Sequence, residues 1–481
     1  MNSPRSRRNP HMTRFAAFAA PLLIAGGFVA GQQPPSPPVG LANWSFDELT
    51  LTNGSKFQGL ILSDAPDGIR FKSVTRPPGR PTVTLTSFFT KAEVANVKRL
   101  PEAERALLKE RLAELDPTGE GERKRMDSLE LLSKDWPGKP GKARRYESDY
   151  FFLDSTGSEE LTRRSGVRLE QVYTAFTRFL PPTVKDGRPT RIMLATDREE
   201  YKTLLGPLGE SFLLNPAVYD RENNQVLCGH DLKQLGEQLD QARIHHAQQL
   251  ATLTTYENEV KKLYKAPELA RYLDAVRVER NRVHATDRIN GAKFDKATAA
   301  VFAVLYHEAF HAYVGTFVYP AMKPEDVKAG KGTGELPRWL NEGLAQVFET
   351  SVVEAGELRA DTPDNERRNR VKDWLKGKNG NTLVPLSDLL VVSRDAFLAS
   401  HADQKASANR SYLSSWALAY YLTFDRRLIG TEAFRKYLVA VNSGGDPRQA
   451  FVGLVGKDLA AFERDWHAYL LRLNPDGTLA K

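Results

Sequence analysis

Cysteine is nearly absent: Cys228 is the single one in 481 residues. An internal disulfide is therefore excluded, and stability must come from core burial or a bound metal. Cys228 sits in the apolar, strand-like run QVLCG, where a buried inert thiol is expected rather than a nucleophile. Acids are missing from residues 1–14, which carry four arginines, and an apolar run follows from Phe15 to Ala30. That run is broken by Pro21 and Gly26-Gly27 and falls short of the about 20 apolar residues of a spanning helix. It reads as a cleaved signal peptide over residues 1–31, with an N-terminal membrane anchor as the alternative. No cysteine near the cut means no lipoprotein signal, and Pro10-His11 after Arg7-Arg8 argues against twin-arginine export. The expected location is periplasmic or extracellular. A block of basic residues is also lacking. Half of the formal +8 comes from those four N-terminal arginines, and elsewhere acids and bases alternate. Nothing here is a nucleic-acid footprint.

What is present divides the chain. Residues 32–43 form a proline-rich spacer beginning QQPPSPPVG, extended and unable to pack. Residues 44–100 hold short alternating apolar runs punctuated by Asn53-Gly54, Pro66-Asp67-Gly68 and Pro77-Pro78-Gly79. Those are hairpin signals and predict a small all-β, SH3-like barrel. Docking, to a protein partner or to the rest of the chain, is the role expected of it. Residues 101–145 read as a helical and flexible linker, ending in the Gly/Pro/Lys-rich stretch around Trp136–Pro140. From residue 146 to 475 strands and helices mix as an α+β domain. Strands are predicted at 150–153, 191–196, 217–219 and 225–228, and helices at 158–180 and 198–205, the latter capped by Asp197. Residues 231–289 are polar, charged and helical, with apolar residues at three-to-four spacing, and predict an inserted helical hairpin. His245 and His246 within it point about 100° apart and cannot share an ion from one face.

The chemistry concentrates in the next helix, for which Asp295 is the expected cap. It carries His307-Glu308-Ala309-Phe310-His311 in otherwise uncharged surroundings. Residues four apart lie one turn above each other, so His307 and His311 can converge on one ion. Glu308 projects to the side, placed to reach a water rather than the metal. Zinc that keeps a position open needs a third protein ligand, and the segment LPRWLNEGLAQVFE offers Glu342 as a candidate. Gln346, one turn on, is a candidate partner for a ligand. Glu349 is an alternative ligand, though an exposed helix glutamate is the commoner finding.

HEAFH followed by WLNEGLA resembles the gluzincin metallopeptidases, the clan of thermolysin and the zinc aminopeptidases. The likeness spans roughly residues 146–475, but its specific part is those two helices. It implies a gluzincin-like domain of small sheet plus helical lobe, Zn2+ held by His307, His311 and Glu342, and Glu308 as general base for peptide hydrolysis. The helix around RSYLSSWAL resembles the later gluzincin helix that presents a tyrosine, which implies Tyr412 as oxyanion donor, with Tyr420 and Tyr421 in the core. An edge strand from residues 217–228 would pair with the peptide substrate. One departure is the thirty residues between His311 and Glu342, longer than the usual loop and accounted for by the polar segment 322–335. Loop length alone costs little. No GxMEN segment is present, which points away from an exopeptidase.

Two other readings stand beside this one. The first is a catalytically silent zinc-site protein acting as a binding or scaffold module, for which an intact Glu308 has no use. The second is coincidence. HExxH arises by chance in about one or two chains per hundred of this length, and the matched NEG helix downstream makes chance a poor account. His230, His284, His401 and His467 lack partners at ligand spacing and read as surface or hydrogen-bonded side chains.

Overall fold

The computed structural model describes residues 44–480, apart from 77–81, 116–119, 185–186, 209–215, 230, 320–324, 326–328, 330–333, 351, 355–356, 360–363, 394–396 and 398–401. The expected signal peptide and proline-rich spacer lie outside the described residues, as do His230, His401 and most of the 322–335 loop. The architecture is α+β. No helix among the described residues is long and apolar enough to cross a membrane.

The N-terminal module consists of β1 (Asp47–Leu51), β2 (Lys56–Ala65), β3 (Gly68–Thr75), β4 (Val83–Thr90) and β5 (Val94–Lys98). All five predicted strands are present. They form an antiparallel sheet in the order β4-β3-β2-β1-β5, with the short 3-10 turn Lys91–Glu93 between β4 and β5. Strand alternation sends neighbouring residues to opposite faces. Ile61 accordingly joins Leu49, Ile69 and Phe71 in one core, while Leu60 joins Trp44 and Val74 in another. Helix α1 (Glu102–Glu114) covers that second face with Leu108 and Leu112, one turn apart. The buried Asp47 carboxylate accepts from the N–H groups of Ile61 and Leu100 at 2.9 Å each. It thereby ties the sheet to the start of α1. Thr82 donates its N–H and hydroxyl to Glu354 at 2.7 and 2.6 Å, so the module is bonded to the main body.

The stretch expected as a linker is structured. After α2 (Glu120–Ser128), β6 (Leu132–Trp136) and β7 (Lys139–Glu147) make a hairpin that completes one side of a six-stranded sheet. The Pro-Gly punctuation around Pro137-Gly138 is its turn, with Gly138 at φ 74°. The sheet continues with β8 (Phe151–Ser155), β9 (Thr190–Ala195), β10 (Ala217–Asp220) and β11 (Gln225–Gly229), in the order β10-β11-β9-β8-β7-β6. β8 and β9 are parallel, joined by the crossover helix α3 (Glu159–Phe179). Helix α4 (Arg198–Leu205) starts at Asp197, whose carboxylate accepts from Glu199 N–H. β10 is an edge strand, antiparallel to β11.

The helical insert is α5 (Lys233–Leu263) with the first part of α6 (Glu268–Tyr313). α6 runs unbroken for 46 residues from the hairpin through His307 and His311. Asp295 therefore lies inside it and caps nothing; its carboxylate instead takes Arg168 Nη2 at 2.5 Å. α6 leads into a five-residue π-turn, Val314–Val318. The helical lobe adds α7 (Arg338–Thr350), the small hairpin β12 (Val352–Glu354) and β13 (Glu357–Arg359), and α8 (Asn365–Leu375). It closes with α9 (Ala402–Tyr420), α10 (Glu432–Asn442), α11 (Pro447–Val455) and α12 (Leu459–Arg472).

Two packing features set the relative position of the chemistry-bearing helices. Phe176 of α3 meets Phe310 of α6 at 5.3 Å and Phe348 of α7 at 4.7 Å, edge to face, and Phe310 stacks on Phe348 at 5.4 Å. Such aromatic pairs add about 0.5–1.5 kcal/mol each beyond their burial. Gly343 of α7 faces α9 so closely that a Cβ there would lie 2.4 Å from Ser415 O and 2.7 Å from Ala419 Cβ. Gly343→Ala should therefore force the helices apart and cost about 1–3 kcal/mol, as overpacking does. Chemical denaturation would measure it, and an unchanged midpoint would show the interface to be looser than this.

Candidate metal and catalytic site

The site forms where α6 meets α7. His307, His311 and Glu342 each offer a ligand atom, all within 4.8 Å of one another, and this is the one such His/Cys/Asp/Glu group among the described residues. The two Nε2 atoms are 3.0 Å apart. His307 Nε2 lies 3.5 Å from Glu342 Oε2, and His311 Nε2 lies 3.6 Å from Glu342 Oε1. An ion with bonds of about 2.0–2.1 Å and tetrahedral angles has ligand–ligand edges of about 3.3–3.4 Å, so the triangle has the size a cation of that kind requires. Glu342 is 1% exposed, and its Oε2 is buried without a hydrogen-bond partner. A buried acceptor in that condition is costly unless a cation satisfies it. The donor set fits a metal ion.

Two further side chains adjoin the triangle. Arg338, one turn before Glu342, places Nη2 2.5 Å from Glu342 Oε1. Glu349 Oε1 lies 2.5 Å from His307 Nδ1, off the line of the ring N–H, and its other oxygen pairs with Arg367 of α8. Glu349 is thus an outer partner of His307, not an exposed helix glutamate. Spacing gave a hint, since Glu349 lies two turns beyond Glu342, but its pairing depends on α6 being alongside. Gln346 does not support a ligand side chain. Its amide donates to the main-chain carbonyls of Glu342 at 3.1 Å and Tyr412 at 3.0 Å, fastening α7 to α9.

Glu308 stands beside the metal cluster rather than in it. The N–H of Tyr219 on β10 donates to Glu308 Oε2 at 2.8 Å, fixing the carboxylate against the edge strand. His307 and Glu308 open into a cavity of about 350 Å³, which is also lined by Ala217 and Tyr412. Burial, and after it the Glu342 carboxylate, push the Tyr412 hydroxyl well above its ordinary pKa, so it stays a protonated donor. Phe397 packs edge-on against its ring at 4.9 Å. Tyr420 and Tyr421 are 2% and 3% exposed, core residues as expected. Cys228 is buried with its thiol pushed up to about 12 by that burial, which suits an inert group.

The electrostatics bear on metal uptake. Burial works to lower the His307 pKa, but contacts from Glu342 and Glu349 outweigh it and raise it to about 10. Burial opposes ionisation of Glu342, yet His311, His307 and Arg338 hold its pKa well below the ordinary value. Without metal, then, the cluster is an ion-paired set with a proton on His307. A cation must displace that proton, so its apparent affinity should rise about tenfold per pH unit between pH 7 and 9. The metal-free fold behaves oppositely. The stabilisation it draws from charged His307 is complete below about pH 6.5, the ordinary value, and is lost as pH rises through about 10. Chelator competition across pH measures the first trend; a flat profile would mean His307 is already neutral.

His246 is 3.4 Å from the buried Asp287, which also pairs with Arg123, and it belongs to an ion-pair network rather than a metal group. His467 is near Glu463 at 4.0 Å. Over residues 328–441 the chain is similar to a family described as "Protein of unknown function (DUF1570)". That stretch takes in Glu342 and Tyr412 and begins after the helix of His307 and His311. No curated protein and no solved structure matches the chain.

Proposed function

We propose that the chain is an exported zinc-dependent peptidase of gluzincin type. The observation that carries the reading is the convergence of His307, His311 and Glu342 with Glu308 alongside, at the mouth of a cavity bordered by an edge strand. His307, His311 and Glu342 would hold the ion. Bound zinc would lower the pKa of water to about 7 and polarise a carbonyl.

The remaining steps belong to the chain. Glu308, anchored by Tyr219 N–H, takes a proton from the attacking water and returns it to the leaving amine. The Tyr412 hydroxyl, kept protonated by burial, donates to the oxyanion that develops on the substrate carbonyl. The edge of β10 not paired with β11 would offer an extended peptide main-chain groups other than the Tyr219 N–H that Glu308 takes, setting the scissile bond beside Glu308. Glu349, beside His307 Nδ1, would steady the ring and leave Nε2 for the ion. The N-terminal sheet, bonded to the body through Thr82 and Glu354, serves as a docking module.

A carboxylate beside the ligands and open to the cavity favours turnover over a silent metal site, which would need Glu308 only for its bond to Tyr219 N–H. The test is metal-dependent hydrolysis of a peptide library by the zinc-loaded chain, measured against its Glu308→Gln variant. No hydrolysis by a stoichiometrically loaded protein would overturn the peptidase reading.

A further inference from the structure

From His307 a line of charge leads away from the metal ligands along one wall of the cavity. Glu349 contacts His307 and pairs with Arg367, whose Nη1 also donates to Gln346 O at 3.2 Å. Arg367 is therefore spent on holding α8 against α7. Arg370 follows one turn later on the same face of α8, about 4.5 Å further along the axis. It lines the same cavity. Its partner among the described residues is Glu366 at 2.9 Å, with side chains 45% and 83% exposed. An i,i+4 pair so open to water holds its members weakly.

The acids of the cavity wall are committed elsewhere. Glu349 is paired with Arg367, and Glu308 accepts from Tyr219 N–H. The α8 wall of the cavity thus presents Arg370, a planar guanidinium able to take a carboxylate by two parallel hydrogen bonds. At about 350 Å³ the cavity has room for a residue beyond the one whose carbonyl reaches His307 and Glu308.

We propose that Arg370 makes this cavity a carboxylate-recognition site, so that the preferred peptides carry an acidic side chain or a free C-terminal carboxylate near the scissile bond. This rests on the peptidase reading for what occupies the cavity, but recognition itself needs no turnover. Arg370 is a specificity residue, not a catalytic one.

Binding is measured on the zinc-loaded Glu308→Gln protein by calorimetry with three otherwise identical pentapeptides. One has an internal glutamate and an amidated C-terminus, one has glutamine there and a free C-terminal carboxylate, and one has neither charge. One of the two carboxylate peptides should bind about tenfold more tightly than the neutral one, and which one does so identifies the source of the carboxylate. Adding Arg370→Gln should remove the advantage. Arg370→Glu should invert it in favour of a lysine peptide. Equal binding of all three peptides, no binding of any, or a preference that survives Arg370→Gln would overturn the proposal. Hydrolysis by the unmodified protein is scored separately. Cleavage without carboxylate preference sinks this proposal and leaves the peptidase reading, whereas preference in binding without cleavage does the reverse.

Discussion

Glu342→Ala should lower the affinity of the chain for zinc by at least about a hundredfold, the upper end of what the loss of an outer partner costs. The expectation is large because Glu342 is a candidate ligand itself. Its carboxylate is 1% exposed and lies within 3.6 Å of both imidazoles. Two histidines on adjacent turns of α6 remain after the change, and two ligands make a weak and open site. Arg338 would lose its partner, but at 29% exposure it can turn to solvent, so the fold should survive. Metal content after dialysis against a weak chelator reads the result, with circular dichroism reporting the fold. Undiminished zinc in a folded Glu342→Ala protein would mean that another group, Glu349 first, supplies the third ligand.

Glu308→Gln should keep its metal and lose its activity. Glutamine presents the same oxygen to Tyr219 N–H, so the local structure is conserved. What it cannot do is accept the water's proton. General-base catalysis contributes about 10²–10⁴-fold, and in the proposed mechanism the same carboxylate would be used twice, for the water and for the leaving amine. A fall in kcat of at least about a thousandfold is expected, with KM little changed because the cavity wall is intact. Steady-state rates on one peptide, beside zinc analysis of both proteins, decide it. Loss of zinc would put Glu308 among the ligands, and an unchanged kcat would remove it from proton transfer.

The parts of the molecule that a sequence reader can find are those written in short spacing. Four residues separate His307 from His311, and the helix converts that number directly into a shared face. Asp197 and the hairpin at Asn223-Asn224 are equally local, and their elements occur where the pattern predicts. The misreadings share one cause, which is that local chemistry was ambiguous and a distant partner decided it. Asp295 has the side chain of a cap, but Arg168 of α3 gives it another use inside the helix. The proline and glycine around residue 138 suit a linker or a turn, and pairing of β7 with β8 selects the turn. The strands of the N-terminal module are legible one by one, from alternation and turn residues alone. In the site, Glu349 and Arg338 acquire their roles only when α6 lies beside α7, a juxtaposition set by Phe176, Phe310 and Phe348.

The unbroken course of α6 has a mechanical meaning. It contains no proline across 46 residues, and Gly291 is its single glycine. At 1.5 Å per residue it is a rod of about 69 Å, with the outer hairpin at one end and the two imidazoles near the other. A rod of this kind has no joint at which the hairpin could swing independently. A twist applied at the tip turns His307 and His311 about the same axis, and a pull along it shifts them relative to Glu342, which is carried on a different helix. The triangle of ligand atoms has edges of 3.0 to 3.6 Å, so displacements of less than a bond length are enough to open or tighten it. The hairpin is in this sense joined to the candidate ligands by one continuous helix, seated in the core on the way by Phe294, Val301 and Leu305 and by the Asp295–Arg168 pair.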